Sequence, residues 1–419
     1  MRNKYGNKIK KDIAYTRIGD KKRKRRSKFK KVVIILGFLV VLTISGVAYS
    51  LLNVQKQLTK TYVNNTPSKV SINSNKPLSI LLLGVDTGDN DRGGAQSWNG
   101  NSDSQMILTL NPETKTTTII SIQRDTMTNI INSKKEVLST QKMNAAYPLG
   151  YNENGLETAV SYAMNTISEQ SGISIDNFVA MNMDGLVNLV DDVGGIDVIN
   201  DSGGDIFISN TEPQYTAVVP FIGEGKSQHI NGEQALVFSR DRDHLPNGDY
   251  GRSAHQREVL QALMKKMLNL NSITTYQKFI KSISNDFKTD ISVDVKNLMS
   301  LMSYKDCFNK VVSIQYEGVG KMVDDASGNE ISYQFIPNNV YLSIQNVLRK
   351  SINETKIQSL SSNIITYENE FGVSPDLYYL PSAVIREGGK STEYGINPDG
   401  DFISIDEANK QEYIMSKDS

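Results

Sequence analysis

The sequence predicts an α/β fold, with helices on both sides of a sheet, preceded by one N-terminal transmembrane helix. Three observations predict it. Residues 32–52 form a run of 21 without a charge. Residues 78–85 (Leu-Ser-Ile-Leu-Leu-Leu-Gly-Val) are almost continuously apolar, as a strand buried on both faces is. Beyond them, strand-like and helix-like patterns alternate, which suits a sheet covered by helices.

At about 1.5 Å per residue the uncharged run spans roughly 31 Å, the depth of a bilayer core. A secretory signal peptide would have a shorter apolar region and a shorter basic lead. Residues 1–31 carry fifteen Lys/Arg against Asp12 and Asp20, although the 419-residue chain sums to zero charge. Positive flanks stay cytoplasmic, so the sequence predicts a single-pass protein of the cell membrane with the remainder facing outward. The basic run Lys21–Arg26 could also suggest nucleic acid. Its place beside the apolar run favours stop-transfer and anionic lipid contact instead, and no nucleic-acid partner is expected. The single cysteine, Cys307, excludes an intrachain disulfide, and three scattered histidines do not make a zinc site.

The organisation follows in order. Residues 53–77 are polar and read as a stalk. Residues 106–110 and 116–122 read as two strands joined by a turn at Asn111-Pro112-Glu113-Thr114. Residues 155–171 have a helical pattern, and 177–182 form a short strand. Residues 183–193 form a helix stopped by Gly194-Gly195, and 196–198 resume a strand. Helices follow at 232–237 and 252–268, the second with Val259, Leu260, Leu263, Met264 and Met267 at helical spacing. A domain over 78–350 and an acidic extension over 351–419, peripheral or partly disordered, complete the chain.

Three groups could do chemistry. Asp86 ends the buried strand, at the end where α/β sheets bind ligands, and Asp103 sits just before the next strand. Two carboxylates from adjacent loops can hold Mg²⁺ beside phosphates, or they can be a pair of Asx turns. Arg124-Asp125 ends a neighbouring strand; it offers a guanidinium fork to phosphate, or a structural ion pair. The densest group is Ser239-Arg240-Asp241-Arg242-Asp243-His244 with Gly248-Asp249-Tyr250-Gly251-Arg252-Ser253-Ala254-His255-Gln256. Arg240 and Arg242 share a face if extended, and Arg252, His255 and Gln256 share one near a helix start. Free N–H groups there favour an anion. Neither a Gly-x-Ser-x-Gly elbow nor a P-loop occurs, which argues against serine hydrolysis and nucleotide-driven transfer.

Six segments occur in a telling order: Ile80–Asp86, Asn101–Ser104, Ser121–Thr126, Val190–Val198, Ala235–Arg242 and Gly248–Arg252. With the N-terminal anchor, this set resembles the LytR-CpsA-Psr family over roughly residues 78–350. The resemblance implies an α-β-α sandwich around a central mixed sheet, with an apolar pocket for a polyprenyl chain. It implies a phosphotransferase that moves a glycopolymer from an undecaprenyl-pyrophosphate carrier to a sugar hydroxyl of peptidoglycan, forming a phosphodiester and releasing undecaprenyl phosphate. Asp86 and Asp103 match the family's Mg²⁺ (or Mn²⁺) ligands. Arg124, Arg240 and Arg252 match the arginines that grip the pyrophosphate; Arg242 and Asp249 match further positions of that pocket, and Gln256 is retained. Two residues depart from the pattern. Gln123 stands where Pro is usual, and His255 stands where Arg is usual, which puts one fixed positive charge in question.

The chemistry fits. Displacement at phosphorus needs charge neutralised on its oxygens, and the leaving group is itself a phosphate. Asp249 and Asp125 are the candidates for the base. A regulator that binds a polyprenyl phosphate without turnover is the main rival. A glycan scaffold is a weaker one, because Trp98 is the sole tryptophan.

Overall fold

Strand β1 (Leu78–Asp86) owes its unbroken apolar run to cover on both faces. In this computed structural model the described residues are 63, 75–86, 98–208, 216–245, 248–268, 286–291, 300, 303–325 and 327–409. The chain divides into two units, Met1–Lys56 and Gln57–Ser419, and the described residues all lie in the second.

After β1 come β2 (Asn101–Asn111), β3 (Thr116–Ser121) and a hairpin of β4 (Met127–Ile131) and β5 (Val137–Lys142). Helix α1 (Ala146–Ser171) bends at Asn154-Gly155, the point at which the sequence pattern had placed a helix start. Then follow β6 (Asn177–Met181), α2 (Met183–Asp192), β7 (Ile196–Ile199), β8 (Ile206–Phe207), β9 (Val218–Val219) and β10 (Ser227–Ile230). Helices α3 (Gly232–Arg240) and α4 (Gly248–Leu268) lead to β11 (Phe287–Thr289), β12 (Lys310–Gln315), β13 (Val319–Asp324) and β14 (Glu330–Phe335). Last come α5 (Asn338–Ser351), α6 (Tyr367–Phe371), β15 (Ser382–Glu387), β16 (Lys390–Ile396) and β17 (Phe402–Ile403).

The central sheet has nine strands in the order β11-β6-β1-β2-β3-β12-β15-β16-β17. It is mixed: β1–β6 and β3–β12 are parallel, and the remaining pairs are antiparallel. Side-chain alternation sends Leu81, Leu83 and Val85 to one face, against Val160, Ala163 and Ile167 of α1 and Ile344 and Val347 of α5. It sends Leu78 and Ile80 to the other face, with Met264 of α4, Tyr304 and Cys307. The expected α/β sandwich around a mixed sheet is therefore present. Residues 382–403, in the acidic extension, continue this sheet beside β12.

The transmembrane part of the predicted fold class, and the single-pass localisation drawn from it, are corrected. No helix among the described residues is long and apolar enough to cross a membrane. The longest, α1 and α4, carry Glu153, Glu157 and Glu169 and Arg252, Arg257, Glu258, Lys265 and Lys266, and each buries only one side against the sheet. Residues 32–52, on which the expectation rested, lie outside the described residues, as do 1–31 and most of 53–77.

Local chemistry fixes the elements that carry the site. Asn182 caps α2 by accepting from the Gly185 N–H at 2.8 Å. Asn231 and Gln234 form a capping box at the start of α3. Between Gly84/Val85 and their partners Ser104/Ser102, the β1–β2 register slips by one residue. Asp103 is the extra residue of this bulge, a device that re-aims a side chain. Gly84 is required there, because a Cβ would stand 2.9 Å from the Ser104 Cβ.

Candidate active site

Three segments distant in sequence meet at one cleft: the start of β2, the end of β3 with the residues just after it, and the first turns of α4. The cleft is lined by Asp103, Ser104, Arg124, Asp249, Arg252, Ser253 and Gln256, among others. Arg124 follows β3 and touches three carboxylates: Asp103 at 3.3 Å, Asp125 at 3.4 Å and Asp249 at 3.6 Å. Arg252 meets Asp249 at 2.8 Å, one turn along α4. One carboxylate therefore sits between two guanidinium groups.

This pairing is incomplete as hydrogen bonding. The Nε atoms of Arg124 and Arg252 and Oδ1 of Asp249 are buried without a well-formed hydrogen bond. Burial works against the Arg124 charge, but Asp249, Asp103 and Asp125 outweigh it and raise its pKa. For Arg252 burial is the larger effect, and Arg124 and Arg242 add repulsion, so its pKa is lowered despite Asp249. Both remain cations at neutral pH.

The sequence-predicted residues divide in three. Asp103, Arg124, Asp249 and Arg252 are in mutual contact. Gln256 joins through Ser104, whose hydroxyl donates to Gln256 Oε1 at 2.9 Å, while Gln256 Nε2 donates to the Ser239 carbonyl at 3.2 Å. Arg240 and Arg242 stand at the margin. Arg240 is the last residue of α3, so the two are not in one extended segment and the face-sharing expected of them does not hold. Arg240 points an N–H at the Met183 sulfur, and Arg242 is exposed but close enough for its charge to act on Arg252.

Asp86 ends β1 opposite Asn101, at the same sheet end as Asp103. Asp103 lies within β2 rather than before it. No group of three or more His, Cys, Asp or Glu able to hold a metal occurs among the described residues. Two carboxylates at neighbouring strand ends remain, an oxygen-only donor set of the kind a hard cation takes when phosphate and water complete its shell. Asp103 Oδ1 is already engaged by Arg124 and by Asn144 Nδ2 at 3.0 Å.

His255 does not reach the cleft. Its Nε2 faces Asp201 Oδ1 at 2.9 Å, its Nδ1 faces the Phe238 carbonyl at 3.1 Å, and its ring stacks on Phe238 at 3.8 Å. Sequence reasoning missed Lys142, which meets Asp125 at 2.8 Å, and Asn144. Both depend on the β4–β5 hairpin. Its turn was readable: Asn132 Oδ1 accepts from the N–H groups of Lys134 and Glu136.

The fold is an α/β sandwich around a mixed sheet, with arginines and carboxylates clustered at one sheet end. A family model for the LytR_cpsA_psr family matches residues 46–350, and the chain belongs to that family. Among its relatives, the biofilm regulatory protein A of Streptococcus mutans is 36% identical over 359 residues, 83% of this chain and 84% of that one. The polyisoprenyl-teichoic acid–peptidoglycan teichoic acid transferase TagU of Enterococcus faecalis is 35% identical over 334 residues, 78% of this chain and 99% of that one. The crystal structure of protein gbs0355 from Streptococcus agalactiae superposes with a TM-score of 0.63 at 38% identity, covering 73% of this chain and 98% of its own.

Proposed function

We propose that the chain is a phosphotransferase that moves a glycopolymer from an undecaprenyl-pyrophosphate carrier to a sugar hydroxyl of peptidoglycan, with residues 78–350 as its catalytic part. The observation that carries this is the pair Arg124 and Arg252, both set against Asp249, with no well-formed hydrogen bond at either Nε–H. A doubly charged phosphate offers the acceptors those donors lack. The relative named as a teichoic acid transferase, matched over nearly its whole length, supports the same class of substrate.

Arg124 and Arg252 bind the pyrophosphate oxygens, with Gln256 oriented by Ser104 beside them and Arg240 and Arg242 at the rim. The acceptor hydroxyl oxygen bonds to the phosphorus that carries the glycopolymer. The bond from that phosphorus to the bridging oxygen breaks, and polyprenyl phosphate leaves with the electron pair. The hydroxyl proton passes to Asp249 or Asp125, the carboxylates against Arg124. Asp86 and Asp103 would hold a divalent cation, Mg²⁺ or Mn²⁺, whose chemistry there is charge neutralisation at phosphate oxygens. Contact through Asp103 falls to Oδ2, since Oδ1 is engaged.

The test supplies the full chain with an undecaprenyl-pyrophosphate-linked polymer, peptidoglycan and Mg²⁺. Released undecaprenyl phosphate and polymer on the wall support the reading, and a folded Arg124→Ala variant should release about a hundredfold less or none. Because one relative is named a regulatory protein, a second outcome matters. Tight binding of the donor with no release would assign the site to a regulator that holds a polyprenyl phosphate without turnover.

A further inference from the structure

Both arginine-bearing segments are tied to the same two pieces of chain, and one phenol closes the connection. On one side, the Gln334 N–H of β14 donates to the Asp125 carbonyl at 2.9 Å, next to Arg124. The Gln123 N–H donates to the Tyr316 hydroxyl at 3.2 Å, and Gln123 Nε2 donates to the Tyr316 carbonyl at 3.3 Å. Proline, usual at this position in the family, could not make the first of these bonds. On the other side, Tyr250 in the first turn of α4 accepts from the Gly318 N–H at 3.1 Å and donates to Gln334 Oε1 at 3.0 Å. Residues 316–318 and Gln334 thus hold Arg124 from one direction and the start of α4, with Asp249 and Arg252, from the other.

We propose that Tyr250 is a positioning residue for the anion site, its hydroxyl fixing the distance between Arg252 on α4 and Arg124 after β3. The inference rests on the reading of that site as a pyrophosphate site. The strap it grips has no slack: a Cβ on Gly318 would stand 2.8 Å from Ile336 Cδ1 and 3.1 Å from the Phe335 carbonyl. The hydroxyl is a dependable donor, because burial pushes the phenol up to about 12. Arg252 and Arg124 are like charges sharing one carboxylate, so their spacing needs an external brace. Two donors must be set to a fraction of an ångström to meet one diphosphate together.

Full-length wild type, Tyr250→Phe and, as control, Tyr341→Phe are titrated with inorganic pyrophosphate by calorimetry and melted. Tyr341 is a more deeply buried phenol that donates to Gln170 Oε1 at 2.6 Å on the opposite face of the sheet. The expected result is about tenfold weaker pyrophosphate binding in Tyr250→Phe alone, with similar melting temperatures in the two variants. With the polymer donor, kcat should fall in Tyr250→Phe while KM for the peptidoglycan acceptor is unchanged. Gln334→Ala removes the same acceptor while keeping the backbone bond to Asp125. It should weaken pyrophosphate in the same direction, and it decides the matter if Tyr250→Phe does not fold. Wild-type affinity in Tyr250→Phe or, where that variant does not fold, in Gln334→Ala, or an equal loss in Tyr341→Phe, overturns the inference. Failure of the wild type itself to bind pyrophosphate overturns the site reading beneath it, and that arm is read separately.

Discussion

Replacing Asp249 with Asn separates the stabilising role of this carboxylate from its effect on the anion. Asp249 lies 2.8 Å from Arg252 and 3.6 Å from Arg124, and its side chain is 29% exposed against 10% and 19% for its partners. Removing one partner of a fully buried ion pair costs roughly 3–5 kcal/mol, and an exposed pair contributes about 0–1 kcal/mol. At this intermediate exposure the loss should be about 2 kcal/mol, or roughly 3–4 °C in melting temperature for a domain of this size. The amide keeps the shape but leaves two guanidinium groups facing each other without a counterion. Pyrophosphate should then act as the missing anion. A ligand at a hundred times its dissociation constant stabilises by about 2.7 kcal/mol, and the variant should bind more tightly because no carboxylate competes. Differential scanning fluorimetry with and without pyrophosphate reads both effects. If Asp249→Asn melts with the wild type and gains no more from pyrophosphate than the wild type does, the carboxylate is not balancing the two arginines and the reasoning is wrong.

Other consequences can be checked on the same protein. Arg257→Met, which removes a buried cation beneath the cleft without touching a ligand in it, should weaken pyrophosphate several-fold by calorimetry while leaving its salt dependence almost unchanged, because buried charge is poorly screened. Chelation should stop polymer transfer and Mg²⁺ should restore it; Asp103→Asn should raise the Mg²⁺ concentration needed, read from initial rates. The Tyr250 phenol is raised from 10.0 to about 12 by burial, so its contribution to stability is intact below pH 10. The contribution declines as pH rises from 10 towards 12, because the unfolded chain loses this proton first; thermal melts across that range should show a smaller decline in Tyr250→Phe.

Where local pattern decides structure, the sequence was readable. The β1 run, the β2–β3 turn and the capped starts of α2 and α3 are where local chemistry places them; Asn111 Oδ1 indeed accepts from the N–H groups of Glu113 and Thr114. Asp103, Arg124, Asp249 and Arg252 could be named in advance as candidates because they lie near strand ends or a helix start. Pairing at a distance was not readable. Strand β12 lies parallel to β3, with Lys310 opposite Thr116, and nothing within Lys310–Gln315 announces that neighbour. The same blindness hid Lys142, whose position depends on the hairpin, and Tyr250, whose partners Gly318 and Gln334 are 68 and 84 residues away. The face-sharing of Arg240 with Arg242 fails for a different reason: α3 runs three residues past Val237, and helical rather than extended geometry turns the Arg240 side chain towards Met183.

Two residues of α4 show where its basic side chains go when histidine stands at position 255. The imidazole is spent on Asp201 and Phe238, away from the cleft. Arg257, two residues on, projects under the cleft floor, where Nη1 donates to Ser121 Oγ at 2.8 Å, Nε to Ser313 Oγ at 3.0 Å and Nη2 to Gln315 Oε1 at 2.8 Å. None of these partners is charged. Burial draws this guanidinium down to about 10, still a cation at neutral pH. Burying a cation among neutral groups is costly unless its field is used, and hydrogen bonds recover only part of the lost hydration. Ser121 itself lines the cleft, so the charge lies one hydroxyl away from the cleft interior. A diphosphate in the cleft would complete the neutralisation of Arg257 and gain from a charge that bulk salt hardly screens. On the proposed function, an arginine at 255 is therefore not the sole way to supply a positive charge; a cation held beneath the cleft supplies one without occupying the cleft.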